Sequence, residues 1–226
     1  MKFGFIPTEG GHYYREFLKE VTYAEELGFD SAWLEEHHGI ASHYWPSPLI
    51  CMAGAATRTS RIVLGTDVAV LPFYHPVRIA EDAALLAMIS GGRFILGLAI
   101  GYRPDEFALY QVPLEKRGAR FAEAVQLIRF LWTQDEVTFH GVYFQLEKGK
   151  IEPRPLTPPA IWLGGWGKLS LRRAACLGDA WVPGPTAGLE KLLQAQAYYR
   201  SCLQEFGKDH QNVPTPLTRE VVIAES

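Results

Sequence analysis

Two carboxylates and two imidazoles follow one another directly in this chain, as Glu35, Glu36, His37 and His38. They end a short apolar run, starting at Asp30, whose composition is typical of a buried strand. In βα proteins, ligands bind at the carboxyl ends of parallel strands. An imidazole titrates near neutral pH and can act as a general acid or base. The cluster therefore predicts a catalytic site, although two histidines that only cap a strand end would give the same pattern.

A second apolar segment, Ile62–Val70, is followed by a turn that carries His75 and Arg78. Two strand ends with polar groups favour an enzyme pocket over a binding scaffold. For His75 and Arg78 themselves, we prefer a capping and salt-bridge cluster that fixes the loop. The other four histidines are interpreted as surface, loop or turn residues: His12, His43, His140 and His210.

Glycines mark two further places where a ligand can approach the backbone closely. Gly97–Gly101 ends another predicted strand, and Gly164–Gly167 follows a later strand and opens a helix. Free N–H groups at a helix N-terminus, together with the helix dipole, form an anion site without a charged side chain. The predicted phosphate-binding residues are Gly164, Gly165, Gly167 and Ser170.

Alternating strands and helices must position these groups. Predicted strands cover Phe3–Pro7, Asp30–Glu35, Ile62–Val70, Arg93–Ala99, Ala160–Gly164, Asp179–Val182 and Leu217–Ala224. Predicted helices cover Tyr14–Leu27, Pro48–Ala56, Pro76–Ile89, Glu115–Trp132, Lys168–Leu177 and Leu189–Phe206. This alternation predicts a parallel sheet with helical crossovers. A period-two pattern around His140-Gly141 predicts a small hairpin inserted within residues 136–151.

Two architectures fit this alternation, a doubly wound open sheet and a (β/α)₈ TIM barrel. A dinucleotide-binding open sheet would carry a GxGxxG fingerprint after its first strand, and residues 8–12 lack one. The barrel is therefore favoured, as a single domain over residues 1–226. Only seven strands are visible, so we expect it to lack its last strand and helices, as a fragment or a naturally short form. Unpaired edges on the first and seventh strands would favour association.

The composition excludes several classes of protein. Net charge is −3, with no basic block that would favour nucleic acid. No apolar run is long enough for a signal peptide or a membrane span, so a cytoplasmic protein is expected. The three cysteines lack ligand spacing, and no HExxH or CxxC motif predicts a metal. No GxSxG motif indicates a hydrolase, and no lysine on a predicted strand indicates a Schiff-base aldolase.

Several blocks of the chain resemble the bacterial luciferase-like family of flavin- and deazaflavin-dependent oxidoreductases. The blocks are WLEEHH at 33–38, GTDVAVLPFYHPVRIAED at 65–82, GGRFILGLAIGYRPDEF at 91–107 and IWLGGWGK at 161–168. They span nearly the whole chain in the order that the family has, and RGARFAE and PRPLTPPAIW are similar to family segments too. The resemblance implies a (β/α)₈ barrel, a reduced flavin-type cofactor at the carboxyl ends of the strands, and often a homodimer.

The resemblance also implies roles for individual residues. His37 matches the family's catalytic histidine beside the isoalloxazine ring, and Glu36 is expected to orient it or to tune its pKa. The family often has an unusual cis peptide or bulge beneath that ring, at the positions of Thr66, Asp67 and Val68. The implied cofactor-binding residues are Asp67, Val68, Ala99, Gly101 and Tyr102, besides the phosphate-binding set above.

Two positions in the third block qualify these roles. Ile100 stands where the luciferases themselves have an arginine at the flavin phosphate, which leaves phosphate binding to backbone N–H groups. Glu106 is either a pocket residue or an ordinary solvated helix start.

The first functional hypothesis is a flavin-dependent monooxygenase that uses reduced FMN and O₂ on a small organic substrate. His37 would manage protons, and a flavin reductase is a possible partner. The alternatives are hydride transfer with the deazaflavin coenzyme on the same scaffold, and a non-catalytic flavin-binding protein. The residues leave all three open.

Overall fold

The computed structural model describes residues 1–7, 10, 13–40 and 44–219. The strands are β1 Gly4–Phe5, β2 Ser31–Leu34, β3 Val63–Thr66, β4 Ala69–Val70, β5 Phe94–Ala99, β6 Val137–His140, β7 Gln145–Gly149, β8 Ala160–Gly164 and β9 Ala180–Val182. The helices are α1 Tyr14–Glu26, α2 Pro48–Ala56, α3 Pro76–Ile89, α4 Pro104–Leu109, α5 Arg117–Thr133, α6 Lys168–Leu177 and α7 Leu189–Glu205. The chain divides into two compact units, residues 1–160 and 161–226.

The first unit is built on a parallel sheet in which β1, β2, β3 and β5 are neighbours in that order. Leu34 pairs with Thr66 at the ends of β2 and β3, and Leu64 pairs with Phe94 in β5. Each crossover carries a helix, as the alternating pattern predicts. Because the strands run parallel, the segments that follow β2, β3 and β5 emerge at the same edge of the sheet.

The predicted strand Ile62–Val70 is wrong in one respect, because it is interrupted. Its first part is β3, and its last two residues form β4, which pairs with β5 rather than extending β3. Between the two parts, the peptide bond joining Asp67 and Val68 is cis. The family resemblance implied an irregularity at this position.

Close packing accompanies this interruption. A Cβ on Gly97 of β5 would lie 1.8 Å from the backbone oxygen of Thr66, so only glycine fits there. The Thr66 hydroxyl accepts the N–H of Gly97 at 2.9 Å and donates to its carbonyl oxygen at 2.6 Å. The end of β3 is therefore held against the middle of β5.

Helix α1 packs through the apolar face that its sequence predicts. Phe17, Val21 and Ala24, at i, i+4 and i+7, are buried. At the end of the helix, the Glu25 carboxylate accepts the main-chain N–H groups of residues 60–62, at 2.6–3.1 Å. Burial opposes the charge on Glu25, but the N–H groups of Ile62, Arg61 and Ser60 outweigh it and lower the pKa of this carboxyl. Glu25 thus fastens α1 to the start of β3.

An antiparallel hairpin, β6 and β7, lies where the period-two pattern predicts it. The Glu123 carboxylate of α5 accepts the N–H groups of Val142, Tyr143 and Phe144 in its turn. Glu123 therefore ties the turn of the hairpin to α5.

The second unit contains β8 and β9, which pair in parallel, with α6 and α7. The seventh predicted strand is not formed over Leu217–Arg219, and its remaining residues lie outside the described part of the chain. No helix within the described residues is long and apolar enough to cross a membrane.

Two element predictions in the first unit also need correction. The first strand covers Gly4–Phe5 rather than Phe3–Pro7, and the short helix α4 was not predicted. A helix of six residues is too short to show a helical period in the sequence. It matters here because it carries Glu106.

Candidate active site

Three segments meet at the carboxyl edge of the first unit's sheet. They are residues 35–38 after β2, 67–70 after β3, and 100–106 after β5. The parallel register brings them together although they are far apart in the chain. The candidate site is built from their side chains.

His37 and Glu106 form a hydrogen-bonded dyad at this edge. The His37 Nδ1 lies 2.7 Å from the Glu106 Oε1, and the main-chain N–H of His38 donates to the same oxygen at 3.0 Å. The Glu106 side chain is 1% exposed, and its Oε2 has no hydrogen-bond partner among the described residues. The Nε of Arg103 is 3.7 Å from Oε1. Glu106 is thus a buried carboxylate rather than a solvated helix start.

The dyad fixes the tautomer of His37. With Glu106 ionised, its carboxylate only accepts hydrogen bonds, so the Nδ1–H of His37 donates a hydrogen bond to it. The neutral ring then has its lone pair on Nε2, which can accept a proton from a bound molecule. This is the arrangement of a general base oriented by a carboxylate.

The outer side of His37 is framed by two aromatic rings. Tyr44 and Tyr102 approach it edge-on, with centroid distances of 4.5 and 5.7 Å. The Tyr102 hydroxyl is 3.5 Å from the His37 Nε2, a long contact, and Tyr102 itself is 69% exposed. The imidazole is 14% exposed, so the ring is partly open to solvent.

Glu36 and His38 form a second pair, which lies deeper. The Glu36 Oε1 accepts from the His38 Nε2 at 2.7 Å and from the Tyr74 hydroxyl at 2.8 Å. Its Oε2 accepts the main-chain N–H of Val70 at 2.7 Å. The His38 Nδ1 lies 2.9 Å from the Tyr110 hydroxyl. Burial, and then the negative charge of Glu36, raise the pKa values of both tyrosines.

The expectation that Glu36 orients His37 directly is wrong, because its carboxylate is bonded to His38, Val70 and Tyr74. Successive side chains leave an extended segment on opposite sides, so Glu36 and His38 share one side while His37 lies on the other. Glu36 is therefore bonded to His38, and the orienting carboxylate of His37 comes from α4.

The predicted cofactor-binding residues of the first unit lie near this edge. Asp67 and Val68 share the cis peptide and are half-buried. Ala99 is the last residue of β5 and pairs with the end of β4. Gly101 has φ of +70°, and a Cβ there would come 2.7 Å from a valine side chain of β4. Their binding role, like that of Tyr102, stays a prediction.

The predicted phosphate-binding residues belong to the second unit. Gly164 ends β8, Gly165 has φ of +135°, and Gly167 is the N-cap of α6. Ser170 lies in the first turn of α6, and its N–H donates to the Gly167 carbonyl at 2.8 Å. The strand–glycine turn–helix arrangement is present as predicted, whereas phosphate binding itself stays a prediction.

Other candidates have local roles or lie elsewhere. The His75 Nδ1 accepts the N–H of Val77 as an N-cap of α3, and Arg78 pairs with Asp82, which confirms the capping interpretation. His140 and His210 make outward-facing pairs with Glu147 and Asp209. His12 and His43 lie outside the described residues. Among residues 1–7, 10, 13–40 and 44–219, no three His, Cys, Asp or Glu side chains are grouped to hold a metal.

Comparison with known families places this site in context. The family described as luciferase-like monooxygenase matches residues 2–226. The chain belongs to this family. The resemblance drawn from its sequence blocks is confirmed.

Curated relatives of this luciferase-like chain include F420-dependent glucose-6-phosphate dehydrogenases. The one from Amycolatopsis mediterranei is 34% identical over 183 residues, which cover 78% of this chain and 55% of the relative. The one from Kribbella flavida is 32% identical over 218 residues, which cover 92% of this chain and 64% of the relative. The chain thus spans between about half and two thirds of these relatives.

Solved structures confirm the fold class, an α/β fold of the luciferase-like barrel type. Monooxygenase RslO1 from Streptomyces bottropensis is 29% identical, with a TM-score of 0.86 over 95% of this chain and 68% of its own. An F420-dependent secondary alcohol dehydrogenase, solved with an F420–acetone adduct, is 24% identical, with a TM-score of 0.84. It covers 96% of this chain and 68% of its own, and it supports the fold alone.

Sequence reasoning missed part of this luciferase-like site. Glu106 was left open between two interpretations, and Tyr110 was not assigned to the site. A signal existed for Glu106, since it follows a strand end within a block that resembles the family. No comparable signal marked Tyr110, which bonds His38 from 72 residues away.

Proposed function

We propose that this chain carries the proton-handling site of a luciferase-like oxidoreductase that transfers hydride between an alcohol substrate and the deazaflavin coenzyme F420. The observation that carries the proposal is the His37–Glu106 dyad, whose partly exposed imidazole is flanked by the rings of Tyr44 and Tyr102. The relatives named as F420-dependent glucose-6-phosphate dehydrogenases support this choice of coenzyme. Glucose 6-phosphate is accordingly the first substrate to test.

The residues at the sheet edge fit a flat, largely apolar ring. Val68 and Ala99 are half-buried, so the surface they expose at the strand ends is apolar. Gly101 lets the chain turn tightly there. Val68, Ala99, Gly101 and Tyr102 would hold such a ring. When bound, the deazaflavin coenzyme supplies the hydride acceptor, which no protein side chain offers.

The dyad supplies the acid–base half of the reaction. Oxidation of an alcohol releases its hydroxyl proton, and the His37 Nε2 takes that proton. The ring then carries a positive charge, which the buried Glu106 carboxylate stabilises across 2.7 Å. In the reverse direction, the same imidazole returns the proton. Tyr44 and Tyr102 flank this imidazole, and the Tyr102 hydroxyl lies 3.5 Å from Nε2.

A second candidate is the monooxygenase reaction with reduced FMN and O₂. It is supported by the likeness to monooxygenase RslO1 at 29% identity. His37 would hold or deliver a proton at the same Nε2. The His37–Glu106 dyad is compatible with either reaction, so the two candidates are distinguished by which coenzyme the protein binds.

The test is a binding and turnover experiment with both coenzymes. We expect F420 to bind more tightly than FMN in a fluorescence titration. We also expect glucose 6-phosphate, or another alcohol, to drive loss of the oxidised deazaflavin's absorbance. His37→Asn should abolish turnover while binding persists, and His140→Asn, an exposed histidine elsewhere, should leave turnover unchanged.

Three other outcomes overturn the proposal. FMN preference with oxygen uptake above that of free reduced flavin moves the protein to the monooxygenase reaction. Binding without turnover of any kind moves it to the non-catalytic flavin-binding class. Binding of neither coenzyme refutes both cofactor assignments. A homodimer, a flavin reductase partner and a cytoplasmic location remain predictions.

A further inference from the structure

We propose that Glu36 and His38 are positioning residues for the His37–Glu106 dyad. Their buried pair fixes the main-chain N–H of His38 on the Glu106 carboxylate, and thereby holds the carboxylate in line with the His37 Nδ1. The catalytic consequence rests on the proposed function. The positioning itself can be measured without turnover.

Glu36 and His38 are both buried. The Glu36 side chain is 1% exposed and that of His38 is 4% exposed. Buried polar groups are unfavourable unless their hydrogen bonds are made, and a charged group left unpaired is more unfavourable still. Here both Glu36 oxygens and both His38 ring nitrogens have partners. A fully satisfied network of this kind admits one arrangement of its members.

The hydrogen bonds of Glu36 and His38 join three segments of the site. Glu36 accepts from Val70 in β4 and from Tyr74 beyond it, and His38 contacts Tyr110 at the end of α4. The pair therefore connects the segments that follow β2, β3 and β5. These are the segments whose relative placement sets the distance from His37 to Glu106.

His38 is also linked directly to the His37–Glu106 dyad through its main-chain N–H. The Glu106 Oε1 accepts two hydrogen bonds, one from the His37 Nδ1 and one from the main-chain N–H of His38. The latter depends on how the His38 ring is anchored, because the ring and the N–H belong to the same residue. The Glu106 Oε2 has no partner in the described part of the chain. Only Oε1 therefore holds the carboxylate by hydrogen bonds, and His38 supplies one of its two.

The Tyr110 contact bears on which ring nitrogen of His38 donates a hydrogen bond and which accepts one. If His38 is neutral, its Nε2–H donates to Glu36, so Nδ1 must accept from the Tyr110 hydroxyl. The ring also lies edge-on to Phe73 and Tyr110, with centroid distances of 5.5 and 4.6 Å. An apolar ring of similar size can therefore occupy the same space without either hydrogen bond.

This suggests a matched pair of variants. His38→Phe keeps an aromatic ring and loses both ring hydrogen bonds, whereas His38→Gln keeps an N–H that can donate to Glu36. Leu127→Ala, a core variant in α5 that is remote from the dyad in sequence, controls for loss of stability alone.

The first readout is the His37 Nδ1–H proton signal in ¹⁵N-histidine-labelled protein, which a short bond to a carboxylate shifts downfield and protects from exchange. We expect His38→Phe to broaden or lose this signal, and His38→Gln to retain it. Leu127→Ala should lower the melting temperature and leave the signal in place. An unchanged signal in folded His38→Phe overturns the proposal.

The second readout is turnover with the coenzyme proposed above. We expect kcat of His38→Phe to fall by about 10²-fold, as for an orienting group displaced by about 1 Å, with KM nearly unchanged. His38→Gln should recover most of the loss. If kcat and KM of His38→Phe change no more than those of Leu127→Ala, and the signal is retained, the role of His38 is purely structural and the proposal is refuted.

The two proposals can fail separately. If no turnover is found but the signal responds as expected, the proposed function fails and the positioning stands. Should His38→Phe not fold, Glu36→Gln takes its place with the same readouts, since it keeps the side chain's shape and removes its charge. Retention of the signal and of kcat in folded Glu36→Gln then refutes the positioning.

Discussion

Glu106→Gln is the most informative single substitution at this site, because it removes a charge and keeps a shape. The amide oxygen can still accept from the His37 Nδ1 and from the His38 N–H, so the ring keeps its orientation. What disappears is the negative charge beside an imidazole that becomes positive during the reaction. The change in kcat therefore measures the electrostatic part of the dyad.

The magnitude follows from the geometry. Two unit charges about 4 Å apart interact by about 4 kcal/mol at an effective dielectric constant of about 20. Because each 1.36 kcal/mol changes a rate by about tenfold, that energy corresponds to about 10³ in kcat. The imidazole is 14% exposed, and solvent screens part of the interaction. We expect a loss of about 10²–10³-fold in kcat.

The assay is steady-state turnover with F420 and glucose 6-phosphate, or with the pair that the titrations identify. Coenzyme binding is measured in parallel and should change little. Asp105→Asn is the matched control, since Asp105 adjoins Glu106 but is 61% exposed and pairs with Arg103. If Glu106→Gln turns over at the native rate while His37→Asn is inactive, the carboxylate has no electrostatic role and our account of the dyad is wrong.

Three further predictions concern stability and reactivity. Glu25→Gln should lower the free energy of unfolding by about 1–3 kcal/mol at neutral pH. A carboxyl whose pKa is lowered on folding stabilises the fold above its unfolded pKa, so this difference should vanish as the pH falls through the folded pKa. Denaturant unfolding of the native protein and of Glu25→Gln, at neutral and at acidic pH, measures this difference in free energy. A difference of equal size at both pH values would contradict the stabilising role of the Glu25 charge. Gly97→Ala places a Cβ 1.8 Å from a backbone oxygen and should destabilise by about 3 kcal/mol or more. Gly167→Ala, whose Cβ meets nothing within 4 Å, is its control, and equal melting temperatures for the two would refute the packing argument. Burial raises the pKa of Cys51 to about 11, so iodoacetamide at about pH 8 should modify it far more slowly than the exposed Cys176. Mass spectrometry follows both thiols, and equal rates would contradict the burial of Cys51.

The strand ends could be located from the sequence. A buried strand was predicted over Asp30–Glu35 and is found at Ser31–Leu34, with His37 just beyond it. The run of apolar residues, bounded by a helix stop and a polar cluster, carries enough information for that. It also places His37 at the edge of the sheet where ligands bind.

The partner of His37 could not be found in the same way. Glu106 is 69 residues away, and the two meet only because β2, β3 and β5 are in one parallel register. Sequence pattern gives the strands and not their register. Glu36 neighbours His37 in the sequence, but alternation along an extended segment pairs it with His38 instead.

The irregular end of β3 was also out of reach of the pattern. Residues 62–70 are apolar enough for one strand, and hydrophobicity does not report the isomer of a peptide bond. The cis bond at Asp67 entered only as something the family often has. What fixes this region is the packing of Gly97 against β3, a contact that joins residues 31 positions apart.

The distance in the chain between the members of the dyad has a consequence for biosynthesis. At about 5–20 residues per second, Glu106 leaves the ribosome's catalytic centre about 3–14 s after His37. Until α4 is made, the His37 imidazole lacks the Glu106 carboxylate, and the neighbouring His38 lacks the Tyr110 hydroxyl. A nascent chain that stops short of residue 106 thus carries the histidine without a partner, and the site becomes competent only when the third strand end is in place.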